Sequence, residues 1–87
     1  MSDKKSFLRK VFEGKAGNIY LLQGIDEKTK RKAYYFILVA PSKEPALSKL
    51  KFLESMDVSR YGTIIESGYG HEPSKELQEE IVAKYGS

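Results

Sequence analysis

The sequence predicts an α+β fold: a single two-layer domain over residues 1–87, in β-β-β-α-β-α order, with a four-stranded mixed sheet and two helices on one face. Three observations predict it. Residues 7–40 carry their apolar side chains in short β-rich runs separated by turn residues. After Pro41 the apolar spacing lengthens to that of a helix. A further β-rich run at 60–67 then precedes a second amphipathic stretch. Two helices can cover only one side of such a sheet, so the other side is expected to stay open.

The elements follow in order. "FLRKVFE" (7–13) alternates as a strand, and "GKAGN" (14–18) supplies the turn. "IYLLQGI" (19–25) is rich in β-formers, and "DEKTKRK" (26–32) has the polar, charged composition of a solvated hairpin tip. "AYYFILVA" (33–40) is apolar at both parities, which predicts a central strand covered on both sides to some extent. Ser42 is placed to cap a helix over 43–56, in which Pro45 is tolerated in the first turn. Leu47, Leu50, Leu53 and Met56 form its stripe, with Ala46 on the same side. "RYGTIIES" (60–67) is the fourth strand. "KELQEEIVAKYG" (75–86) is the second helix, with Leu77, Ile81, Val82 and Tyr85 on one side and Gly86 closing it. The first three strands are expected as an antiparallel meander. The helix at 43–56 is expected to carry the chain across the sheet, laying the last strand parallel beside the third.

Composition narrows function more than it specifies it. At 87 residues and 9.9 kDa the chain supports one small core and little room for a deep pocket. Hydrophobic residues make up 40% and charged residues 31%, a balance that suits a folded chain rather than a disordered one. Zero cysteines exclude disulfides, thiolate chemistry and most zinc sites. No apolar run reaches the ~20 residues of a membrane-spanning helix. "MSDKKSFLRK" lacks the apolar core of a signal peptide, so the expected location is the cytoplasm. The net charge is +3, divided as +6 over residues 1–43 (ten Lys/Arg against four Asp/Glu) and −3 over 44–87 (five against eight). Such halves attract each other within the fold or between copies, or the basic half meets an anionic partner.

Two regions draw attention as candidate sites. "SGYGHEP" (67–73) holds Gly68, Tyr69, Gly70 and His71 between a strand and a helix, where backbone amides can approach a phosphate. The third glycine of a dinucleotide fingerprint is missing, as is a P-loop Gly-Lys-Ser/Thr, and Glu72 and Glu76 already occupy the helix N-terminus. The stretch therefore reads first as a tight corner, with ligand binding by this loop as its sharper alternative. His71 could act as a base near neutrality, and Ser67 or Ser74 with Asp57 could complete a triad, but no hydrolase context surrounds them. No cofactor or metal is implied, and no enzyme activity is expected.

The second region is a basic and aromatic set: Lys28, Lys30, Arg31 and Lys32 at one hairpin, with Tyr20, Tyr34 and Tyr35 on the sheet. Residues 32–39, "KAYYFILV", partly match the aromatic strand motif of RNA-recognition domains, in Lys32, Tyr34, Phe36 and Ile37. That family needs a helix between its first two strands, and residues 14–18 are too few to supply one. The pattern keeps its physical meaning without the family. Tyrosines on an open sheet edged by lysines can stack bases and neutralise phosphates, and they equally suit a protein interface. The expected function is thus a protein-interaction or self-association module using the open sheet face. The alternative is weak, sequence-indifferent nucleic-acid binding through the basic hairpin and the sheet tyrosines.

Overall fold

The structure, a computed structural model, describes residues 7–26, 29–42 and 58–86. Four strands, β1 (Phe7–Glu13), β2 (Asn18–Ile25), β3 (Lys32–Val39) and β4 (Thr63–Tyr69), form one sheet in the order β1-β2-β3-β4. Every pairing is antiparallel. A C-terminal helix, α1 (Lys75–Tyr85), follows.

This corrects the expected mixed sheet. Leu38, near the end of β3, lies opposite Thr63, at the start of β4, and the pairing continues to Ala33 opposite Tyr69. The chain therefore leaves and re-enters the sheet at the same end. The sequence reading treated the intervening segment as a crossover, but a connection that returns to its own end yields an antiparallel neighbour. The expected helix over 43–56 lies outside the described residues, so among these there is one helix, not two on one face.

Alternation along β2 and β3 sorts the core into two layers. Ile19, Leu21, Tyr34 and Phe36 point to the side on which α1 packs through Ile81, with Leu77 and Tyr85 beside it. Tyr20, Leu22, Ala33, Tyr35, Ile37 and Val39 point to the far side, joined there by Val58, with Leu8, Tyr61 and Ile64 at the margin. Val58 is fully buried, and none of the far-side strand residues is more than 7% exposed. The far side is therefore covered, not open, and the two-sided apolarity of 33–40 reports this directly. The β1–β2 and β3–β4 pairings each carry a register shift, at Lys10/Phe12 and Phe36/Ile37. Each bulge adds a residue to the edge strand and breaks its alternation, so that adjacent Val11 and Phe12 both pack against the helix-side layer.

The helix is set by local chemistry as well as packing. Ser74 caps it from an extended conformation, its Oγ accepting the Leu77 N–H at 3.0 Å. Glu76 in the first turn and Lys84 in the last complement the helix dipole. At the other end the Gly86 N–H donates to the Val82 carbonyl at 2.8 Å. Arg9 on β1 donates to the Gln78 side-chain oxygen at 3.1 Å, tying the exposed rim of α1 to the sheet.

Candidate functional site

Register brings the two candidate regions of the sequence together. Ala33 is paired with Tyr69, and the Gly70 N–H donates to the Lys32 carbonyl at 2.7 Å. The basic hairpin and the "SGYGHEP" corner thus lie side by side at one end of the sheet.

The hairpin turn is built on Asp26. Its carbonyl accepts the Lys30 N–H at 2.7 Å, its N–H donates to the Arg31 carbonyl at 2.8 Å, and its carboxylate accepts the Thr29 N–H at 3.4 Å. The Thr29 hydroxyl in turn accepts the Arg31 N–H at 3.3 Å. Lys30 takes a left-handed conformation (φ 61°) to close the turn, a strain these bonds offset. Lys30, Arg31 and Lys32 all emerge exposed. Lys28 lies outside the described residues.

Across the strand boundary, Gly70 adopts φ 85°, and the Arg31 guanidinium lies over it, 2.8 Å from where a Cβ would stand. A side chain there is excluded both by backbone angle and by Arg31. Lys32 reaches Glu72 at 3.4 Å, an exposed pair worth roughly 0–1 kcal/mol. Among the described residues Tyr69 is the large hydrophobic side chain left most exposed, at 41%. Its hydroxyl is 2.9 Å from that of Tyr35, and the two rings meet edge to face.

The sheet tyrosines are placed differently from the sequence expectation. Tyr20 and Tyr35 belong to the far-side core and Tyr34 to the helix-side core, at 7%, 1% and 3% exposure. None offers a stacking surface. Tyr34 lies across Gly68 on β4, with its ring and hydroxyl within 2.6 Å of where a Gly68 Cβ would stand, and is held edge to face by Phe36 and His71. Burial first, and the Glu66 carboxylate second, push its phenol above the ordinary value of 10.0.

The catalytic alternatives do not assemble. His71 packs on Tyr34 on the helix side, whereas Ser67 is paired with Tyr35 on strands whose side chains at that level serve the far side. Ser74 spends its hydroxyl on the helix cap. His71 Nδ1 sits 3.1 Å from the Glu72 carbonyl, which accepts only, so the proton belongs on that nitrogen. Asp57 is outside the described residues. Among the described residues no group of His, Asp and Glu could hold a metal ion, and no helix is long and apolar enough to cross a membrane. Among the described residues, an open groove is lined by Leu8, Arg9, Leu21 and Gln23.

What the sequence reading missed is the outer edge of β4. Among the described residues the strand is paired only with β3, and its residues are half-buried or exposed throughout. Arg60 stands exposed in the turn that feeds it, where the Tyr61 N–H donates to the Val58 carbonyl at 3.0 Å. The signal was present in composition, since Thr63–Tyr69 holds one charge, Glu66, in seven residues. It needed the strand order to become visible.

Fold and surface together define a small antiparallel sheet-and-helix domain whose accessible chemistry lies along an edge strand and its basic end. Compared with known proteins, the chain matches no family model, no curated protein and no solved structure.

Proposed function

We propose that the chain is a non-enzymatic interaction domain that recruits an extended segment of a protein partner to the outer edge of β4. The observation that carries this reading is the burial of the central strands on both sides, which moves the available surface from the sheet face to its edges. Of the two edges, β1 is guarded: Arg9, Lys10 and Glu13 lie along it, and Arg9 is tied to α1. Charges on an edge strand discourage added strands. β4 carries Glu66 alone, presents Ile64 and Ile65 half-buried, and ends in exposed Tyr69. Main-chain hydrogen bonds would supply affinity there and alternate side chains selectivity.

Amide hydrogen exchange tests the reading with a short peptide of alternating valine and threonine. Protection should rise at Thr63–Tyr69 and stay constant along β1. Exchange unchanged along β4, or slowed along β1 instead, would refute it. A rise in β4 protection with protein concentration alone would make a second copy the partner. Placing lysine at exposed Thr63 and Ser67 should abolish the response in a chain that still melts cooperatively.

A second reading, nucleic-acid binding, is favoured by one observation: Lys30, Arg31 and Lys32 stand beside the exposed Tyr69. Among the described residues of the sheet it rests on one exposed tyrosine, because Tyr20, Tyr34 and Tyr35 are in the core. Binding of single-stranded RNA would then weaken steeply with salt and shift the Tyr69 and Arg31 resonances.

A further inference from the structure

Charge is arranged along β4 as well as around it. Arg60 is exposed where the chain enters the strand, and Arg31 is folded over Gly70 where it leaves. Between them the seven residues of β4 contain one ionised side chain, the exposed Glu66. At about 3.4 Å per residue the strand is roughly 24 Å long, so a full partner strand fits between the chain positions of Arg60 and Gly70. Lys32 adds little at the exit because Glu72 engages it at 3.4 Å. Lys30 adds a further cation at the same end. Neighbouring the strand's centre, Ile64 and Ile65 offer apolar surface toward opposite sides.

From this pattern, and resting on the edge-strand reading above, we infer that the partner segment is acidic at both ends and apolar in its middle, with a cationic or neutral residue opposite Glu66. The segment lies along β4 with its terminal carboxylates against Arg60 and Arg31. Opposite charges facing each other across adjacent strands stabilise pairing, and like charges oppose it. The two arginines select for acid, while Glu66 rejects an acidic residue at the centre. A uniformly acidic segment therefore binds less well than one carrying acids only at its ends. That preference separates a positioned code from attraction by net charge.

Three peptides of equal length and alternating valine–threonine core test it by NMR titration of the full chain. One carries aspartates at both ends and a central lysine. One has these charges reversed. One is aspartate at the ends and centre alike. The first should shift the β4 amides and bind on the order of tenfold more tightly than the reversed peptide, given typical cross-strand charge energies. The uniformly acidic peptide should fall between them, and E66K should lift it to the level of the first. R31E with R60E should invert the order of the first two peptides, while the far-ultraviolet circular dichroism stays native. Equal binding of all three at the β4 amides would overturn the charge code and leave the edge-strand reading standing. No shift along β4 with any of them would overturn both. A single-stranded oligonucleotide that shifts Tyr69 and Arg31 at concentrations where the first peptide does not would replace a protein partner with nucleic acid.

Discussion

Gly68→Ala gives a direct test of how β3 and β4 are locked together. Replacing glycine by alanine in a strand ordinarily helps, by about 0.5–1 kcal/mol, because the unfolded chain loses freedom. At this position the new methyl carbon would stand 2.6 Å from Tyr34 Cε2, Cζ and Oη. Tyr34 is 3% exposed and wedged edge to face against Phe36 and His71, with ring centroids at 5.8 and 5.5 Å, so its ring has little room to retreat. Forcing an extra carbon into a packed site costs about 1–3 kcal/mol. Taken at the middle of both ranges the overpacking wins, and the net loss is about 1 kcal/mol. For a chain of this size about 1 kcal/mol corresponds to 4–8 °C in Tm. Thermal and urea unfolding of Gly68→Ala, Tyr34→Leu and the double variant would measure it. The two changes should couple favourably, because the shorter leucine releases the clash. A Gly68→Ala variant as stable as the parent, or a strictly additive pair, would show that the phenol does not lie across this glycine.

Further expectations follow from single contacts. Ser74→Ala removes the acceptor of the Leu77 N–H and should lower stability by about 1 kcal/mol, with Ser74→Asp restoring it in urea titrations. Ile81→Ala empties the one buried position of α1 and should cost about 2–5 kcal/mol, detaching α1 before the sheet melts in hydrogen exchange. The raised phenol of Tyr34 gives an alkaline signature. Its folded pKa lies above the unfolded value, so the folded state is favoured while the phenol is neutral, and that contribution is lost as pH rises past 10 through the raised pKa. Tyr34→Phe should flatten this decline, and ultraviolet titration should lose one late-ionising phenol. An unchanged alkaline profile would count against the burial of the hydroxyl.

Much of the sheet was legible because its signals are local. The turn residues at 14–18 and 26–32, the alternation along 7–13 and the β-rich runs at 19–25 and 33–40 placed β1 to β3 within one residue of their bounds. The cap and stripe of α1 were equally local, since Ser74, Leu77 and Ile81 lie within one short stretch. The orientation of β4 was not legible, because it depends on where the segment after Pro41 deposits the chain. No local pattern in β4 encodes that. The tyrosines illustrate a subtler limit. Tyr20, Tyr34 and Tyr35 were all expected on the open side of the sheet, but residue type alone does not show that both sides are covered, with Val58 joining the core on the second. The apolar run at 33–40 had already argued for cover on both sides, and it was the better guide.

The same burial underlies the proposed edge-strand recognition. Among the described residues the central strands β2 and β3 have spent most of their large apolar side chains internally, and what the sheet offers outside is main chain at the edges, charge at the ends and the exposed Tyr69. On β1 the charges fall on the strand itself, at Arg9, Lys10 and Glu13, where an approaching strand would have to displace them. On β4 the cations stand beyond both ends, at Arg60 and Arg31, where they attract without obstructing. Gly70, at a backbone angle other residues resist, keeps the exit clear for the Arg31 side chain. Gly70→Ala should therefore act in two ways: it strains the corner, and it swings Arg31 away from the strand end. If Arg31 helps hold an acidic segment, this variant loses peptide affinity beyond what its lower stability predicts, and Gly70→Asn, which tolerates the same angle but still displaces the guanidinium, shares the binding loss with less of the strain.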